Sequence, residues 1–298
     1  MTMTIGRALS TLVIGPGPDI SLAAARALVN DLRMQAARAP ELVGKYAGLE
    51  EAAQKATQLP VRVVDRASWT AGATKSVMGM IEHTQLSSRA IEYQISIAMA
   101  VLSANVLGQF DPYNGRRTGG TLYLVAPNIA KFQERYNLDR RDLALWVAVH
   151  EMTHAVQYAQ APWLADYVAN AAINVFSAES EETIEQAMED ITGVMSLLEG
   201  HASYVMDSLP LAVLPSRHRL SQALAQRRAS GNHLVKKLGK LLGADKKNAQ
   251  YTSGLSFTRE VVRRVGLEGF NQVWKGPEYV PSANEIQNPA EWIKRVIP

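Results

Sequence analysis

Leu143-Ala-Leu-Trp-Val-Ala-Val-His150-Glu151-Met-Thr-His154-Ala-Val-Gln157 is an apolar run with a His-Glu-x-x-His pattern set inside it. No Pro or Gly falls between Asp139 and Pro162, and Leu143, Trp146, Val147 and Val156 recur at helical spacing. The spacing predicts a buried helix over Arg140 to Gln160, with Asn137 or Asp139 as its N-cap. Residues four apart on a helix stack on one face, so His150 and His154 can aim two imidazole nitrogens at one point. Two imidazoles converging in this way suit a zinc ion. Glu151 is turned by about 100° from His150 at 3.6 residues per turn, which sets its carboxylate beside that point as a general base toward water. Two histidines that merely satisfy hydrogen bonds in a crowded core are the bland alternative. The intervening Glu in an otherwise apolar helix argues against it.

A catalytic zinc site takes three protein ligands and leaves a fourth position open. The extended HExxHxxGxxH pattern is absent, because Gln157 stands third after His154 and no His follows until His201. The third ligand is therefore expected from a later helix, and Ser196-Leu-Leu-Glu199-Gly-His201-Ala-Ser-Tyr204-Val-Met-Asp207 is the best source. Glu199, Ala202, Ser203 and Met206 share a face there. Small residues would allow this helix to approach the first closely. His201 is the rival ligand, two residues away and on a different face. With Glu199 preferred, the set becomes His2Glu, and His201 becomes a supporting group or a donor to the reacting carbonyl. The acidic run Glu179, Glu181, Glu182, Glu185, Glu189 and Asp190 reads as a solvated helix start. Asp207 either orients a ligating imidazole or closes the helix before Pro210.

Several segments are similar to the zincin-like metallopeptidases labelled type 2, also called coenzyme F420 biosynthesis-associated proteins. They are Leu107-Gly-Gln-Phe-Asp-Pro-Tyr, Leu122-Tyr-Leu-Val-Ala-Pro-Asn-Ile, Leu145 to Tyr158 around the motif, Ala161-Pro-Trp-Leu, Glu199-Gly-His-Ala-Ser-Tyr-Val-Met-Asp, and Phe270 through Ile286. The resemblance covers most of the chain from about Val64 onward. It implies a metal-binding HExxH helix with a downstream Glu-Gly-His-Ala segment, carried onto His150, Glu151, His154 and Glu199. Where that family has Phe after the Gln of His-x-x-Gln, this chain has Tyr158, which leaves the ligands untouched.

At 298 residues and 47 % hydrophobic, with no long polar linker, the chain is expected to form a single zincin-like domain over residues 1–298. Residues 1–60 match the family less clearly. There is no cysteine, which excludes disulfides and thiolate ligands. Leu9 to Ile14 is too short for a signal peptide, and the longest apolar candidate, Ile95 to Leu107, is interrupted by Ser96, Ser103 and Asn105. A cytoplasmic protein with no membrane span is the expectation. Residues 216–247 hold nine Lys or Arg against one acid, Asp245, within a net charge of +3. No aromatic residue interleaves them, so a basic connecting segment is favoured over a nucleic-acid surface.

The fold class expected is mainly α, a zincin-like helical metalloprotease architecture with a small β element near the motif helix. Helices are expected over Ile20 to Arg38, Glu41 to Gln58, Ser68 to Ile81, Ser88 to Leu107, Arg140 to Gln160, Trp163 to Val175, Glu181 to Asp207 and Gln250 to Val265. Gly120-Thr-Leu-Tyr-Leu-Val-Ala-Pro is the best strand, and its edge could pair with an extended substrate. Asp111-Pro-Tyr-Asn-Gly-Arg-Arg-Thr-Gly-Gly reads as a hairpin loop. These features predict a zinc-dependent peptidase or amide hydrolase, with a peptide or amide as substrate and Zn2+ as cofactor. Glu151 is the general base, and His201, Tyr204 and Tyr158 are candidate donors to the oxyanion. The competing reading is a zinc-stabilised scaffold or partner-binding protein with little hydrolysis. One reproducible, chelator-sensitive cleavage product would exclude it.

Overall fold

The computed structural model describes residue 15 and residues 17–81, 89–115, 119–177, 180–229 and 250–297. In chain order these form α1 (Leu22–Ala47), α2 (Glu50–Ala56), β1 (Val61–Val64), α3 (Arg66–Ile81), α4 (Arg89–Leu102), β2 (Gly108–Asp111) and β3 (Thr121–Val125). There follow α5 (Ala126–Tyr136), α6 (Arg140–Gln160), α7 (Leu164–Ser177), α8 (Glu181–Ser208), α9 (Arg217–Ala229) and α10 (Gln250–Phe270). Two 3-10 turns, Asn271–Trp274 and Pro277–Tyr279, precede α11 (Ala283–Gln287) and α12 (Pro289–Val296). The protein is mainly α with one three-stranded sheet. Among the described residues, no helix is long and apolar enough to cross a membrane.

Contacts divide the chain into two compact units, the first from residues 1–40, 56–155 and 210–230, the second from 41–55, 156–209 and 231–298. In the first unit the sheet order is β1-β3-β2. Central β3 pairs parallel with β1, Val61 opposite Leu122, and antiparallel with β2, Gly108 opposite Leu124 and Asp111 opposite Thr121. Every β3 residue is buried, so an unbroken apolar run, not an alternating one, is what a central strand covered on both faces requires. Trp69 and Ala73 of α3 pack on Tyr123 and Val125. Buried Arg66 donates from Nε to Asn128 Oδ1 at 2.7 Å, and the Asn128 amide donates to the carbonyls of Ser103 and Val106, both at 2.6 Å. These bonds explain why α5 starts directly after β3. Ala126-Pro127-Asn128 reads as a strand ending, yet Pro sits comfortably in the first turn of a helix and Asn128 anchors it.

Two expected boundaries are corrected. Pro40 does not separate α1 into two helices. The helix continues through it, with Ala39 and Val43 fully buried, and the break falls at Gly48, whose φ of +65° is open to glycine. At the other end, α10 runs past Val265 to Phe270 over a kink at Gly266, φ 71°. The predicted strand shrinks to Thr121–Val125, and β2 completes a hairpin with it. The arginines of that loop, Arg116 and Arg117, lie outside the described residues. The basic segment 216–247 begins with the helix α9, and its remainder, 230–247, also lies outside them.

In the second unit, α8 packs on α10 and α7. A Cβ at Gly200 would come within 2.2 Å of the Gly254 carbonyl carbon, and one at Gly254 within 2.1 Å of the Ser196 oxygen. The small residues of α8 thus serve a backbone-to-backbone crossing with α10. Ser180 caps α8 with a reciprocal capping box to Thr183, and Glu182, Glu185, Glu189 and Asp190 are exposed, as a solvated helix start should be.

Candidate metal centre

The motif helix begins where Asp139 Oδ1 accepts the Asp142 N–H at 2.9 Å, so Asp139 is the N-cap. Asn137 instead ends α5 in the left-handed conformation, φ 46°. Leu143 and Val156 have no exposure, and Trp146 and Val147 have 5 % and 2 %, which buries α6 along most of its length. Against that background His150 and His154 are half-buried, and their rings meet edge to face with centroids 4.9 Å apart.

Glu199 is half-buried on α8, and one ligand atom from each of His150, His154 and Glu199 lies within 4.8 Å of the other two. Among the described residues, His201 is not part of that group. Two imidazole nitrogens and one carboxylate oxygen make a donor set that zinc accepts, with a fourth position left over. This His-His-Glu group could hold a metal ion.

Glu151 is buried, 7 % exposed, next to His150 on α6. Its side chain lies against the backbone of edge strand β2, where a Cβ on Gly108 would fall 2.5 Å from Glu151 Cγ and 2.9 Å from Oε1. Only glycine leaves space for the carboxylate there. Thr153, fully buried on the same helix, donates its hydroxyl to the Val149 carbonyl at 2.8 Å.

His201 has no exposure. Its ring stacks on Phe270 at 5.2 Å and leans on Trp274 at 5.3 Å. Gln157, also with no exposure, donates from Nε2 to the Leu198 carbonyl and to His201 Nδ1, each at 3.0 Å. An amide nitrogen cannot accept, so Nδ1 carries the lone pair and the His201 proton resides on Nε2. Tyr204 is half-buried and, five residues beyond Glu199, is turned by about 140° from it on an ideal helix. Tyr158 is half-buried and continues the row of His150 and His154 one turn on. Asp207 meets Arg259 at 2.5 Å, joining α8 to α10.

Two residues at this centre escaped the sequence reading. Gln157 registered only as the residue that breaks the longer HExxHxxGxxH pattern, although an amide in an otherwise buried helix needs partners and so signals a cross-helix bond. Gly108 carried the signal of a glycine at a strand start, a mark of close backbone approach.

None of the curated proteins compared with the chain matches it. One solved structure, from Chloroflexus aurantiacus and described as a candidate hydrolase with a novel fold, matches with a TM-score of 0.74 and 30 % identity. The match covers 99 % of this chain and 96 % of that one. The family model for zincin-like metallopeptidases matches residues 4–178 and 169–293. That family implies a metal ion, and His150, His154 and Glu199 are the group that fits one. With its HExxH helix and nearly its full length matched, the chain belongs to the zincin-like metallopeptidase family.

Proposed function

We propose that the protein is a zinc-dependent hydrolase that cleaves a peptide or amide bond, with His150, His154 and Glu199 as ligands and Glu151 as general base. The observation that carries this reading is the approach of the three donor atoms to within 4.8 Å, with a buried glutamate inside the same motif. A metal ion held there supplies a Lewis acid and acidifies water. Glu151 takes a proton on its carboxylate and can return it to the leaving amine. Its contact with Gly108 restricts where the carboxylate can swing, so the base is held ready for use. Tyr158, in register with the two histidines, offers its hydroxyl as a donor to the developing oxyanion. Full burial and ring stacking favour a supporting role for His201 over direct contact with substrate. Tyr204 is the weaker donor because of its turn away from Glu199.

A fluorogenic peptide library screened with and without chelator tests the proposal. Wild-type protein should give a chelator-sensitive product, and Glu151→Gln should keep its metal while losing about 10²- to 10⁴-fold in rate. A Glu151→Gln variant as active as wild type would remove the assigned base, and no chelator-sensitive cleavage of any amide would remove the hydrolase.

A further inference from the structure

Leu198, Gly200 and His201, the residues that flank Glu199 on α8, are each tied to a neighbouring element. Leu198 receives an extra hydrogen bond on its carbonyl from Gln157, and His201 receives the second Gln157 proton at Nδ1. Gly200 is pressed against the Gly254 backbone, and the His201 ring is stacked on Phe270. A mid-helix carbonyl such as that of Leu198 already has its own helical partner, so the bond from Gln157 is not needed to complete α8. What it adds is a tie. One side chain on the motif helix, three residues after His154, grips the residue before Glu199 and the residue two after it.

We propose that Gln157 is the positioning residue for the third metal ligand, locking the rotation of α8 so that the Glu199 carboxylate faces His150 and His154. A side-chain atom about 6 Å from a helix axis moves about 1 Å for every 10° of rotation, and a metal site tolerates little of that. Gln157 can hold both bonds only while it donates twice, which in turn fixes His201 as the Nε2–H tautomer. The inference rests on the metal-centre part of the proposed function but not on hydrolysis.

The test is zinc affinity by chelator competition, together with the absorption spectrum of the Co2+-substituted protein. Gln157→Leu keeps the side chain's bulk and removes both donors, so it should weaken zinc by about 10- to 100-fold and alter the Co2+ bands. Full-length His201→Phe keeps the stacking volume and removes both ring nitrogens, the Nδ1 acceptor with the Nε2–H donor, while the bond from Gln157 to the Leu198 carbonyl stays. It should give a smaller loss in the same direction, and it carries the test if Gln157→Leu does not fold. Glu199→Ala marks the loss expected when the ligand itself is gone. Wild-type zinc affinity and an unchanged Co2+ spectrum in a folded Gln157→Leu protein, or in His201→Phe, would overturn the positioning role. If wild-type protein binds zinc but cleaves nothing, the hydrolase reading fails while the inference stands. If it binds no zinc, both fail.

Discussion

Glu151 and Gly108 are in such close contact that a single methyl group would displace the carboxylate. Gly108→Ala should therefore reduce cleavage by about 10²-fold, the scale on which a 1 Å misplacement of a reacting group acts, while metal content stays at the wild-type level. Parallel activity and metal analyses check this, and retained activity would show that Glu151 has another place to go. Tyr158→Phe should lower kcat by about 10²-fold with zinc affinity unchanged, which single-turnover rates and chelator competition would report. At this scale the motif was fully legible, because an i, i+4 pair with an intervening acid is a local pattern. The choice between Glu199 and His201 was open in the sequence, and the small residues beside them, expected to face the motif helix, meet α10 instead. Gly108 and Gln157 were not legible, since each acts on a residue more than 40 positions away and nothing nearby in sequence names the partner.

The crossing of α8 and α10 rests on Gly200 and Gly254, whose Cα atoms leave no room for side chains. Gly254→Ala should destabilise the protein by about 3 kcal/mol, at the upper end of overpacking costs, because backbone rather than a flexible side-chain tip must give way. Denaturant unfolding measures it, and an unchanged midpoint would contradict the close crossing. Long helices were readable from their periodicity, as with α6 and α8. The start of α5 and the passage of α1 through Pro40 were missed because tertiary packing settles them. Pro127 opens α5 because Asn128 is tied to Arg66, Ser103 and Val106, and α1 survives Pro40 because the apolar residues around it are buried. Short β1 and β2 exist only as partners of β3, and four residues carry too little pattern to announce that.

For the molecule as a whole, stability should carry the signature of Asp111, which is 1 % exposed at the end of β2. Burial pushes its carboxyl above the usual aspartate range, and hydrogen bonds from Ser76 Oγ at 2.6 Å and the N–H groups of Tyr113 and Asn114 only partly oppose that. A raised folded-state pKa means the folded protein binds the proton more tightly than the unfolded chain. The associated stability is complete below about pH 4 and fades as pH rises through the raised value. Relative to Asp111→Asn, which cannot titrate, wild-type protein should thus lose stability as pH rises above about 4, and denaturation curves at several pH values check the sign. Two imidazoles one helical turn apart and a carboxylate from a later helix form the group that we propose holds one divalent ion. Titrating chelator-stripped protein with zinc tests it most directly. One equivalent per chain is predicted, with binding lost in His154→Ala and strongly weakened in Glu199→Ala. Absence of binding to the wild type, or undiminished binding in both variants, would contradict it.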